Sequence, residues 1–241
     1  MCGRYASFRE AQDLADAFAV SPDGIAEDAR LLPPSWNVAP TDPVRVVVER
    51  ERHVPSEERT AGGGATEAAG SPERSLRLAR WGLVPGWAKD PSVGSRMINA
   101  RVESLAEKPA FRRALVSRRC VVPAEGYFEW KKPDGSAPPR TPKQPFWIHA
   151  EDGSPLAFAG LYEFWRDPER ADDDPLRWLV SMTIVTAARP PTTLCWAAST
   201  TGHPWCWTGP SGTPGSTLAT PTRRRPWSCS ASPRAGSSPH P

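Results

Sequence analysis

Two runs rich in β-branched and aromatic residues, Arg119–Trp130 and Pro145–Ile148, flank the turn sequence Pro133-Asp134-Gly135. Runs of this kind on either side of a Pro/Gly turn fold back on each other as an antiparallel hairpin. Side chains alternate across a strand, so Tyr127 and Glu129 face one side and Phe128 and Trp130 the other. Further strand-forming runs lie at Val44–Val48, Leu76–Trp81, Leu156–Leu161 and Leu176–Thr186. Helical spacing is confined to short segments. Phe8, Ala11, Leu14, Ala15 and Phe18 mark an amphipathic helix over 8–19, and a second helix is expected over Ala110–Ser117. The pattern predicts an α+β fold, a barrel-like and mostly antiparallel β-sheet core with short helices.

Composition divides the chain into three parts. Residues 1–188 carry the strand pattern and form one domain within a length of 241 residues. Inside it, residues 51–75 turn polar and Gly/Ala/Glu-rich, a solvated loop insertion between two strands. Residues 187–241 hold no Val, Ile, Lys, Asp or Glu, and 32 of them are Pro, Ser, Thr or Gly. Such a stretch has almost nothing with which to build a core strand, so 189–241 reads as a Pro/Ser/Thr/Arg-rich tail.

The tail also distorts the charge. It holds five arginines and no acid, and without it the net +3 becomes 25 basic against 27 acidic groups. A nucleic-acid partner therefore cannot be argued from global charge. No apolar run reaches the ~20 residues of a membrane span. Five cysteines without framework spacing point to a reducing cytoplasm. With no C-x-x-C pair and four scattered histidines, neither a metal nor another cofactor is expected.

Chemistry is concentrated at the start. Once Met1 is removed, Cys2 carries an α-amine and a thiol on adjacent carbons. The amine can condense with an aldehyde, and the thiol can close on the imine carbon as a five-membered thiazolidine. The same pair can serve as an N-terminal nucleophile in peptide hydrolysis, the amine acting as base for the thiol. Glu129, between Phe128 and Trp130, is a candidate acid/base group or an ordinary solvent-facing strand glutamate. Asn37 and Asn99 can orient a substrate or cap a turn. Arg4 and Arg101 can bind phosphates or form surface ion pairs. Trp36, Trp81, Trp87 and Trp130 near these arginines suit a single-stranded nucleic acid, with Trp81 read as core. Cys120, in a Val-rich strand, reads as a buried small hydrophobe.

Five segments occur in order: Met1-Cys2-Gly3-Arg4-Tyr5, Trp36-Asn37-Val38-Ala39-Pro40, Trp81-Gly82-Leu83-Val84-Pro85-Gly86-Trp87, Ile98-Asn99-Ala100-Arg101-Val102-Glu103 and Gly126-Tyr127-Phe128-Glu129-Trp130. In that order the chain resembles the SRAP (SOS response-associated peptidase) family from residue 1 to about Ala188. The resemblance implies an abasic-site sensor in the DNA damage response. Such a protein crosslinks through its N-terminal cysteine to ring-opened abasic sites in single-stranded DNA. It implies Cys2 as nucleophile, Glu129 as acid/base and Asn99 as the group orienting the sugar. Arg4 and Arg101 become backbone contacts, Trp87 a stacking residue, and Asn37 part of the same pocket. It further implies autoproteolytic removal of Met1 and a peptidase/lyase activity. The partner is abasic single-stranded DNA, and the protein is expected to be a monomer. A thiol peptidase acting on peptides, or a non-covalent single-strand binder, would use the same residues.

The chain departs from the family after Ala188, where a His-Asp-Arg-x-Pro-Val-Val-Leu-like segment with a catalytic histidine is missing. Read one base earlier, the codons of Thr200–Gly209 can spell that segment. The tail is therefore expected to be out of frame and not folded as in the family. His203, in a Gly-His-Pro turn, is not assigned the catalytic role.

Overall fold

The computed structural model of the protein describes residues 3–50, 73–131, 133, 135, 138, 140–187 and 203–204. Its elements are β1 (Tyr5–Ser7), α1 (Ala11–Ala17), α2 (Glu27–Leu31), β2 (Ser35–Val38), β3 (Pro43–Arg50), β4 (Glu73–Trp81), β5 (Asn99–Arg101), α3 (Pro109–Ser117), β6 (Arg119–Ala124), β7 (Gly126–Lys131), β8 (Gln144–His149), β9 (Leu156–Arg166), β10 (Trp178–Ala187) and β11 (His203–Pro204). Five strands close on themselves in the order β10-β4-β3-β6-β9, with β9 pairing back onto β10. This barrel is antiparallel except where β10 runs parallel to β4, and β5 adds a second parallel pairing along β10. A separate antiparallel sheet has the order β2-β1-β7-β8. The α+β, barrel-like expectation holds.

The run expected as one strand from Arg119 to Trp130 is two, lying in different sheets. β6 belongs to the barrel and β7 to the four-stranded sheet. The break falls at Glu125, whose backbone N–H donates to Ala6 O at 3.0 Å and whose carboxylate accepts from Phe8 N at 2.7 Å. The acid thus fastens the crossing point to the end of β1. Sequence periodicity cannot register such a sheet switch, because both halves alternate normally.

Other boundaries shift for local reasons. The helix expected over 8–19 contracts to α1 because Glu10 is extended and Phe8 stacks on Trp36, with ring centroids 5.1 Å apart. β4 begins at Glu73, inside the segment expected as loop. The antiparallel register there sets Arg74 against Glu49, and the two form an ion pair at 2.9 Å. Residues 51–72 lie outside the described residues. So does the tail from 188 onward, except His203 and Pro204. Their backbone pairs with Ala187 and Thr186, which corrects the expected turn to a two-residue strand. β9 runs on to Arg166, past the expected end at Leu161.

Among the described residues, apolar side chains gather in three clusters. Tyr5, Trp81, Tyr127, Phe158, Met182 and Ile184 lie in the first; α1 and α2 cover β3 and β4 in the second; α3 closes the third with Phe111 against Leu161. Arg45 is buried under the helices, where its guanidinium donates to the carbonyls of Ala29, Arg9 and Leu32. Burial still pushes it down from the usual arginine value.

Trp81 ties the two sheets together. Its indole N–H donates to Ile98 O at 2.8 Å, and its ring meets Tyr5 edge-on at 5.2 Å. Its backbone N–H donates to Asp42 O at 2.9 Å, and its carbonyl accepts from Thr41 N at 2.8 Å. Gly82 follows at φ +126, and a Cβ there would stand 2.5 Å from Gly94 O. Trp81→Phe keeps one six-membered ring but loses the indole N–H that the Ile98 carbonyl accepts. The substitution should lower unfolding stability by about 1–3 kcal/mol, measured by urea titration.

Candidate functional site

The expected nucleophile, Cys2, lies outside the described residues, which begin at Gly3. From there the geometry is defined. β1 pairs antiparallel with β7, Tyr5 opposite Tyr127 and Ala6 opposite Gly126, and Arg4 O accepts from Phe128 N at 3.0 Å. Two residues beyond Tyr127, β7 carries Glu129. Glu129 shares the inward face with Tyr127 and is 7% exposed. This settles the choice left open by the spacing: the side chain does not face solvent.

On the other side of β1, β2 sets Val38 opposite Tyr5. This pairing brings Asn37 to Arg4, and Arg4 Nη1 donates to Asn37 Oδ1 at 3.0 Å. The bond ties the guanidinium of β1 to the side chain of β2. Arg4, Asn37 and Glu129 thus come from three adjacent strands of one sheet.

Asn99 and Arg101 come from the barrel. β5 runs parallel to β10, with Asn99 opposite Ile184 and Arg101 opposite Thr186. Asn99 is half-buried and Arg101 exposed. The residue before Asn99 fixes their position: Ile98 O accepts both from the Trp81 indole and from Ile184 N at 3.1 Å. Through Tyr5, Trp81 and Ile98, the two groups of candidate residues belong to one packed unit.

Trp87 lies on the segment that follows β4. It is 66% exposed at the rim of an open recess of about 800 Å³, lined also by Arg113, Arg118, Glu163, Phe164 and Trp178. None of the other candidate residues lines it. Trp36 and Trp130 are also exposed, at 65% and 41%, whereas Trp81 is fully buried as expected. Cys120 is buried too, and burial pushes its thiol well above the ordinary value. Among the described residues, no group of three or more His, Cys, Asp or Glu is placed to hold a metal ion, and no helix is long and apolar enough to cross a membrane.

Two supporting groups escaped the sequence reading. Ser181, fully buried on β10, accepts from Val84 N at 2.8 Å and positions the segment leading to Trp87. Its partner lies 97 residues away, so no local signal could reveal it. Glu125 left a faint one, an acid placed directly before Gly126 at the end of an apolar run. Burial raises Glu125 above the usual carboxylate range, opposed by the Phe8 N–H and by Arg9, whose Nε stands 3.5 Å from Oε1.

A carboxyl raised on folding binds its proton more tightly in the folded state. The stability it contributes is complete below the unfolded value, about 4.3, and is lost as pH rises through the folded value. Glu125→Gln keeps an oxygen for Phe8 N–H without the charge. It should melt later than the parent chain at neutral pH, and the gap should close as pH falls below about 4 in a thermal unfolding series.

The comparisons agree with this architecture. A protein of Bordetella bronchiseptica superposes with a TM-score of 0.59 at 19% identity, covering 90% of this chain and 89% of that one. One from Bacteroides thetaiotaomicron superposes at 0.54 and 23%, covering 77% and 68%. These likenesses show the fold. Among curated proteins, the abasic site processing protein YoqW of Bacillus subtilis is 40% identical over 172 residues, 70% of this chain and 63% of that protein. YedK of Escherichia coli, an abasic site processing protein, is 32% identical over 164 residues, 67% of this chain and 59% of that protein. HMCES of Pongo abelii, also so named, is 30% identical over 181 residues, covering 64% and 45%. The match thus spans less than two thirds of the length of each of these relatives. The family model for SOS response associated peptidase matches residues 1–194. The chain belongs to the SRAP family.

Proposed function

We propose that the chain captures abasic sites in single-stranded DNA by covalent reaction at Cys2. The observation that carries this reading is the β1–β7 register. It pairs Tyr5 and Ala6 with the strand that carries the buried Glu129, and the neighbouring Arg4 is held by Asn37. The relatives named as abasic site processing proteins support it.

In this reading Met1 is removed by the protein itself, freeing the α-amine of Cys2. The amine attacks the aldehyde carbon of the ring-opened sugar, and loss of one water leaves an imine. The thiol sulfur then adds to the imine carbon, the thiol proton passes to the nitrogen, and a thiazolidine joins protein to DNA. Glu129 moves protons in these steps, and Asn99 orients the sugar. Arg4 and Arg101 hold the flanking phosphates. Trp87, exposed at the rim of its recess, stacks on a base. The protein acts as a cytoplasmic monomer.

A second reading, hydrolysis of peptides by the same N-terminal thiol, is favoured by the family's description as a peptidase. The tail belongs to the proposal as well. Residues 189–241 are out of frame relative to the family, and resequencing of the codons between Ala188 and Ser199 tests this.

The deciding experiment incubates the purified chain with a single-stranded oligonucleotide bearing one abasic site and resolves the mixture on a denaturing gel. A heat-stable shifted band is expected from the parent chain and none from Cys2→Ala. Glu129→Gln should slow band formation by about 10²–10⁴-fold. A folded parent chain, free of Met1, that gives no band overturns the covalent reading; cleavage of peptides by that same chain would establish the second.

A further inference from the structure

β1 is three residues long, and its register against β2 shifts between Tyr5 and Ser7. A strand so short depends on what fastens its ends. On the β7 side, Phe128 N donates to Arg4 O and Glu125 N to Ala6 O, both at 3.0 Å. One step further, Phe8 N donates to the Glu125 carboxylate at 2.7 Å. The acceptor there is a side chain, because β6 has ended at Ala124 and the chain is passing from one sheet to the other.

Glu125 is 6% exposed, and the capture chemistry proposed above does not use it. An ionisable group is costly to bury unless its surroundings need it. Here they do, since the Phe8 amide would otherwise lose its acceptor. The neighbours reinforce the same point. The Phe8 ring stacks on Trp36 of β2, and Arg9 Nε stands 3.5 Å from Glu125 Oε1. Arg9 also donates to Gly153 O, between β8 and β9, and its own carbonyl accepts from Arg45 at 3.2 Å. The end of β1 is thus gathered to both sheets. Only Gly3 and Arg4 separate the strand from Cys2 in the sequence.

We infer that Glu125 is a positioning residue for covalent capture: by accepting from Phe8 N it fixes β1 along β7, and with it the segment from which Cys2 reacts. The inference rests on the capture reading above. It assigns the effect to the acceptor oxygen rather than to the charge. Positioning acts on the reacting geometry, so it is felt in the rate of the bound strand more than in binding.

The test uses the full chain, freed of Met1, and a single strand with one abasic site. Crosslinking rates are measured against strand concentration for the parent, Glu125→Ala and Glu125→Gln, at a temperature where all three are folded. Glu125→Ala should lower the rate at saturating strand by about 10- to 100-fold and change the half-saturating concentration far less. Glu125→Gln, which keeps an oxygen for Phe8 N–H, should react at close to the parental rate. Amide exchange at Phe8 should speed up in Glu125→Ala alone. Reaction of Cys2 with free glyceraldehyde, which is not held in place by DNA, should be slowed far less than capture. Should Glu125→Ala not fold, Phe8→Pro removes the donor instead, and comparison with Phe8→Ala isolates the same bond, because an extended Ser7 accommodates a following proline; Phe8→Pro should then be the slower of the two. Equal saturating rates for the parent and Glu125→Ala overturn the inference. So does a Glu125→Gln chain as slow as Glu125→Ala, or an equal loss toward glyceraldehyde. A parent chain that crosslinks no abasic strand removes the capture reading and this inference with it, so the two failures are told apart.

Discussion

A single carbonyl, that of Ile98, accepts both the Trp81 indole N–H and the backbone N–H of Ile184. A buried carbonyl must find donors, and this one has two from different elements. The indole comes from the end of β4, the amide from the middle of β10, and the acceptor directly precedes Asn99. Its placement fixes β5 against the barrel. The same tryptophan touches Tyr5 and holds the turn after Asn37 through Thr41 and Asp42. Both halves of the candidate site are thereby referred to one side chain. The tolerance for displacement is small, because dense packing transmits shifts.

What the sequence revealed and what it hid follow from the range of the interactions concerned. The hairpin of β7 and β8 was legible because alternation and turn chemistry are local, and the burial of Glu129 follows the alternation with Tyr127. α3 was legible from spacing, with Phe111 and Ala114 on its buried side. The switch of sheets at Glu125 was not, since Phe8 and Ala6, which define it, lie far away in the chain. β1 escaped as well: three residues give no period, and its strand character comes from the neighbours on either side.

The site divides the same way. Arg4, Asn37, Glu129 and Asn99 could be named from the ordered motifs, yet the bond between Arg4 and Asn37 belongs to the tertiary fold. Trp87 was named beside them from motif order alone, and in the fold it lines a recess with Arg113, Arg118, Glu163, Phe164 and Trp178. The ring contacts of β7 and β8 were half visible. Alternation paired Phe128 with Trp130, but the contribution of Trp147 and His149 depends on a register that only the folded hairpin defines.

That the first strand pairs with β7 has a consequence for how the protein is made. Phe8 and its partner Glu125 are separated by 117 residues, so loop closure delays their meeting. During synthesis the N-terminus emerges first and stays without its partner strand until the chain has grown past β7. A chain cut short before β7 therefore lacks both the strand against which β1 pairs and the acid that fastens Phe8. Assembly is timed by topology: the earliest strand of the fold waits for one more than a hundred residues later in the chain.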